Sequence, residues 1–118
     1  MKTKTQQLLE EFNKAFARNN MDFILSNVTD HITWTAIGDF TVKGRTAFQE
    51  TLKRMAGDEP YELTIHRVIT HGKDAAVHGV MNSREGKQYA FCDVYELSGF
   101  KNPKITAMTS FVIPISHG

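Results

Sequence analysis

The stretch YAFCDVYEL, residues 89–97, alternates along its whole length. Tyr89, Phe91, Asp93, Tyr95 and Leu97 fall on one face of a β-strand, and Ala90, Cys92, Val94 and Glu96 on the other. A carboxylate therefore stands in the middle of an aromatic and aliphatic face. If that face is covered, Asp93 is a buried acid, and a buried acid needs partners or a purpose.

On either side of this strand the same period of two persists. Residues 61–71, 75–82, 87–97 and 104–115 read as four strands, joined by the turn-like links HGKD (71–74), SREGK (83–87) and SGFKNP (98–103). Sequential strands with short links pair antiparallel. Before residue 61 the period is helical. Residues 4–19 form an amphipathic pattern with Leu8, Phe12, Ala15 and Phe16 on the dry side and Glu10, Glu11, Asn13, Lys14 and Arg18 on the wet side. Asn20 caps a short second helix that buries Phe23, Ile24 and Val28. HITWTA (31–36) and residues 40–43 read as small strands, and Gly44 opens a third helix with the stripe Phe48, Leu52 and Met55, ended by Gly57 with Pro60 beyond. Helices first and then a meander is the α+β order, with helices on one face of a curved antiparallel sheet.

Composition narrows the class. At 118 residues, 41% hydrophobic and 23% charged, the chain reads as one domain spanning residues 1–118. A formal net charge of +1 and the lack of a dense Lys/Arg run argue against a nucleic-acid partner. No apolar run reaches the roughly 20 residues that a membrane span requires. MKTKTQQLLEEF at the start lacks the continuous apolar centre of a signal peptide, which points to the cytoplasm. The single cysteine, Cys92, rules out an internal disulfide and a thiol-rich metal site.

Turn counting predicts which side chains share a face. A two-residue turn at Gly72-Lys73 sets Thr70 opposite Ala75 and Arg67 opposite His78. A two-residue turn at Glu85-Gly86 sets Ser83 opposite Gln88, and His78 opposite Asp93. With Leu97 opposite Lys104, Met108 lies beside Asp93 and Thr106 beside Tyr95. One face then collects Tyr61, Leu63, Ile65, Arg67, His78, Val80, Phe91, Asp93, Tyr95, Met108, Ser110 and Val112, and is assigned to the helix-covered side because it is richer in large apolar groups. The other carries Glu62, Thr64, His66, Val77, Cys92, Val94, Ala107, Thr109 and Phe111. A three-residue turn or a bulge would reverse an entire strand.

The candidate site follows from that face. Asp93 and His78, side by side, form a pair able to share a proton, or a hydrogen-bonded pair that satisfies two buried polar groups. Trp34 is a stacking wall or a core tryptophan. Tyr95 and Ser110 offer hydroxyls to a carbonyl or hydroxyl of a ligand, and Met108, Phe16 and Tyr61 complete an apolar lining. The histidines lack metal-ligand spacing, so no metal is expected. Cys92 reads as a small apolar residue of the outer face.

The order of NNMDFI (19–24), WTAIG (34–38), KGRTAF (43–48), CDVYEL (92–97) and KITAM (104–108) resembles the nuclear transport factor 2-like superfamily, and within it the SnoaL-like and ketosteroid-isomerase-like proteins, over nearly the whole chain. The resemblance implies a cone, a bent sheet wrapped around helices with a pocket in its open end, and a homodimer through the outer sheet face. In ketosteroid isomerase a protonated strand aspartate and a helix tyrosine hold an oxyanion while a second aspartate abstracts a proton. Asp93 matches the strand aspartate, whereas the tyrosine position carries Phe12 and the base position falls near Thr35. The Asp-Arg-Asp arrangement of epoxide hydrolases in the superfamily is not evident. Two functions stay open. One is binding of a small, largely apolar or aromatic molecule with cofactor-free acid-base catalysis of isomerase, cyclase or dehydratase type. The other is a non-catalytic module that sequesters a ligand or binds another protein, including the case in which Phe12, Phe16 and Trp34 fill the cone themselves.

Overall fold

The computed structural model describes residues 2–56 and 61–115. The expected Gly57 stop of the third helix, Pro60 beyond it, and His117 lie outside the described residues. Helix α1 (Lys4–Arg18) starts on a reciprocal cap in which the Thr3 hydroxyl accepts from the Gln6 N–H and the Gln6 side chain accepts from the Thr3 N–H. It stops where Asn19 turns left-handed at φ 58°. The Asn20 side chain then accepts from the Phe23 N–H and starts α2 (Met21–Ser26), as its position in the sequence implies. Strands β1 (Val28–Ala36) and β2 (Phe40–Lys43) follow, and Gly44, at φ 89°, leads into α3 (Arg45–Met55). The second half is β3 (Glu62–His71), β4 (Asp74–Asn82), β5 (Gln88–Leu97) and β6 (Ile105–Ile115).

The six strands form one sheet in the order β2-β1-β6-β5-β4-β3. Every neighbouring pair is antiparallel except β1 and β6, which run parallel, so the sheet is mixed. The core lies between the helices and one sheet face. Leu9 and Phe12 of α1, Ile24 of α2 and Phe48 and Leu52 of α3 pack against Ile32, Trp34, Val77, Phe91, Tyr95, Leu97, Ile105 and Met108. Among the described residues no helix is long and apolar enough to cross a membrane.

Two expectations about faces are corrected. In α1 the buried stripe runs Leu9, Phe12, Asn13 and Phe16, a spacing of three, four and seven, so Asn13 sits inside and not on the wet side. In β4 the whole strand is reversed. The hairpin before β5 is a three-residue turn, Arg84-Glu85-Gly86: the Ser83 N–H donates to the Lys87 carbonyl at 2.8 Å, and Gly86 takes φ 88°. One extra turn residue shifts the pairing by one, which sets Val77 opposite Asp93 and His78 opposite Cys92. Val77 is fully buried, and His78 faces outward, with its ring 5.6 Å from that of His66. Arg67, still opposite His78, goes to the outer face with it. The register shift between Ile65 and Arg67 restores β3, returning Ile65 and Leu63 to the inner face opposite Gly79 and Met81.

The last pairing moves by two residues and keeps its faces. Leu97 pairs with Ile105, and a further irregularity between Glu96 and Leu97 sets Tyr95 opposite Met108 and Asp93 opposite Ser110. Met108 is therefore a neighbour of Tyr95, and Ser110 is the partner of the carboxylate.

Candidate functional site

Asp93 sits mid-strand on the inner face, between Val77 of β4 and Ser110 of β6. It is half-buried and lines a pocket of about 630 Å³. Two chains of donors converge on it. From the helix side, Asn13 Nδ2 donates to Tyr95 Oη at 3.0 Å and to the Leu9 carbonyl at 2.8 Å, and Tyr95 Oη donates to Asp93 Oδ2 at 3.3 Å. From the sheet side, Trp34 Nε1 donates to Ser110 Oγ at 3.0 Å, and the Ser110 hydroxyl bonds the Asp93 carboxylate. Each hydroxyl accepts from an N–H, so its own proton is free to point at the carboxylate.

Burial pushes the Asp93 carboxyl up from 3.8 to about 6, while the hydrogen bonds from Ser110 and Tyr95 favour the ionised form and oppose the rise. Tyr95 is itself buried, and burial together with the nearby Asp93 charge drives its hydroxyl well above the ordinary tyrosine range, so it stays a proton donor. Burial and the neighbouring Asp93 also raise Cys92, which faces outward as an unreactive thiol.

The pocket wall is aromatic and sulfur-rich. Trp34 is locked between Phe16, Phe40 and Phe48 at ring-centroid distances of 5.6, 5.0 and 5.5 Å, and presents its edge to the cavity beside Phe91 and Met108. Tyr61 and Tyr89, edge to face at 6.3 Å, stand with the exposed Met55 and Val112 at the mouth. Asp39, in the turn between β1 and β2, also reaches the cavity. The aromatic side chains do not fill the cone: Phe12 is packed in the core, and the open space lined by Phe16 and Trp34 reaches Asp93.

Of the residues singled out from the sequence, Asp93, Trp34, Met108, Ser110, Phe16 and Tyr61 line this one pocket. Tyr95 lies one layer deeper and reaches the cavity through Asp93. His78 is not there. It belongs to the opposite face through the three-residue turn, and its pairing with Asp93 is replaced by that of Ser110. Asn13, Asp39 and Tyr89 were missed. The signal for Asn13 was its place in the stripe of Leu9, Phe12 and Phe16; the signal for Asp39 was no stronger than an acid in a Gly-Asp turn. Phe12 is fully buried, and Thr35 bonds Thr41 on the far side of β1, so neither supplies a group to the pocket.

A family model for the SnoaL-like domain matches residues 9–108. No curated protein sequence matches the chain. Among solved structures, it is similar to an NTF2-like protein of unknown function from Cytophaga hutchinsonii, with a TM-score of 0.69 and 24% identity over 92% of this chain and 98% of that one. A putative ketosteroid isomerase from Kribbella flavida matches with a TM-score of 0.77 and 14% identity over 97% and 81% of the two chains. A putative SnoaL-like polyketide cyclase from Shewanella putrefaciens matches with a TM-score of 0.80 and 12% identity over 94% and 80%. At such identities the likeness is one of fold: helices on a curved mixed sheet, the NTF2-like architecture. With the family model covering most of its length, the chain belongs to the SnoaL-like domain family.

Proposed function

We propose that this chain binds a small, largely apolar molecule in the pocket above Asp93, and that Asp93 serves there as a general base in a cofactor-free reaction of isomerase, cyclase or dehydratase type. The observation that carries the reading is the environment of the carboxylate. It is held at the pocket floor by two hydroxyl donors and titrates at about 6, so near neutral pH it is mostly ionised yet still basic enough to take a proton. Both donors are themselves held, by Asn13 and Trp34, so the carboxylate keeps one orientation while a proton moves to it. The size and apolar lining of the cavity suit a ring-bearing ligand.

A specific observation also favours binding without turnover. Phe12 and Thr35 leave Asp93 without the helix hydroxyl and the second carboxylate that proton transfer uses in the isomerase pattern. An α-tetralone probe in D₂O separates the two. Exchange of its α-protons above the buffer rate, with a rising limb near pH 6 and lost in Asp93→Asn, supports the base. A probe that binds without exchange supports sequestration.

The same proposal includes a homodimer through the outer sheet face. Val94, Phe111 and Ile113 are exposed there, on neighbouring strands in which Ala90 pairs with Ile113 and Cys92 with Phe111. Val77, expected on this face, is not part of it, since it is buried in the core.

A further inference from the structure

The pocket combines three features that together specify a charge. Its lining includes two carboxylates, Asp93 and Asp39, and among the described residues no Lys, Arg or His. It includes six aromatic rings, those of Phe16, Trp34, Phe40, Tyr61, Tyr89 and Phe91. Among the described residues the carboxylate at its floor is held by neutral hydroxyls, so its charge is solvated by dipoles and not balanced by a cation. The ion pairs Lys2–Glu10, Lys14–Glu11 and Lys87–Glu85 lie elsewhere on the surface.

Resting on the reading that the pocket binds a small ring-bearing molecule, we propose that its ligand is an organic cation: a protonated amine on an apolar, aromatic body. The two carboxylates of this site attract an ammonium group, and its aromatic walls suit the apolar body that carries one. A carboxylate or phosphate would meet two like charges with no cation to offset them, so anionic ligands are rejected. The ammonium belongs toward the mouth, near Asp39, because a fully desolvated ammonium is costly and the exposed rim leaves it part of its water. The apolar body then fills the space between Phe16, Trp34 and Phe91, and Asp93 stays available at the far end. Tyr61 and Tyr89 add aromatic surface at the rim.

Isothermal titration at pH 7.5 with three matched probes, naphthylethylamine, naphthylethanol and naphthylacetate, tests this. The amine should bind about tenfold more tightly than the alcohol, and the acid more weakly than both. Asp39→Asn, in an exposed turn away from the core, should bring the amine down to the affinity of the alcohol and leave the alcohol unchanged. If the alcohol binds the native protein as well as the amine does, or the acid binds best, the cation inference is overturned while the pocket reading stands. If none of the three binds to the folded protein, both are overturned.

Discussion

Asp93 carries its charge in neutral company, and that has a cost for the folded state. Its carboxyl titrates at about 6 in the fold and near the ordinary 3.9 when unfolded, so between those values the native chain holds the extra proton. Stability is therefore greatest at acid pH with respect to this group and is lost as pH rises through 6. Replacing Asp93 with Asn should remove the penalty. At pH 8 the variant should melt higher by about 8 °C, equivalent to roughly 2 kcal/mol, and at about pH 3 the difference should vanish. Calorimetry at the two pH values checks both the size and the sign. Asn13 acts on the same carboxylate from one residue further back. Asn13→Leu keeps the branching of the side chain but removes the donor to Tyr95, leaves the tyrosine oxygen short of a partner, and should cost about 1–3 kcal/mol in urea unfolding. With Tyr95 a weaker donor, the Asp93 midpoint should move up. At this scale the sequence exposed the acid, because a carboxylate in an alternating aromatic strand is conspicuous. It did not expose Asn13, because adjacent Leu8 and Leu9 allow two helical stripes, and only packing against Tyr95 selects the one that contains the asparagine.

At the scale of elements, the outer boundaries of most helices and strands follow local chemistry: Thr3 and Asn20 cap, Asn19 and Gly44 break, and the alternation defines β5. The register of β4 does not. SREGK allows a two-residue or a three-residue turn, and the choice rests on Gly86 taking the left-handed position after Arg84 and Glu85. The alternation in β4 is little help, since Ala75, Val77 and Gly79 are no more apolar than Ala76 and Val80, and one histidine weighed against one valine does not settle a face. Point substitutions report the register directly. Val77→Ala should cost about 2 kcal/mol as a core truncation, whereas His78→Ala should stay within about 0.5 kcal/mol. Gly79 tests the bulge beside it. A Cβ at this position would lie 2.0 Å from the Thr64 carbonyl oxygen, so Gly79→Ala must displace backbone where β3 is kinked. Its loss of stability should exceed about 2 kcal/mol, against a few tenths for Gly99→Ala in an open link. Comparable denaturation midpoints for Gly79→Ala and Gly99→Ala would contradict this packing.

At the scale of the molecule, helices before a meander lead to a sheet with one face covered, and that much follows from the switch of period at residue 61. The parallel pairing of β1 with β6 is what closes the site, because it brings Trp34 to Met108 and Ala36 to Ser110, placing the first strand beside the carboxylate. No local pattern announces it, since these strands are separated by most of the chain. The uncovered face is where the assembly is expected. Phe111→Glu, on the outer face and away from the pocket, should shift the mass in sedimentation equilibrium from two chains to one while leaving probe binding intact. A native protein that sediments as a monomer at micromolar concentration would remove the dimer.

The pocket, the donor chains and the proposed chemistry meet in the proton affinity of one carboxyl. Carbon-detected NMR of the Asp93 side chain across pH 3 to 9, in the protein without added ligand, measures it. A midpoint near pH 6, rising in Asn13→Leu, is the expected result; a midpoint near the ordinary 3.9, unmoved by that substitution, would contradict a base poised by burial and held by Tyr95 and Ser110.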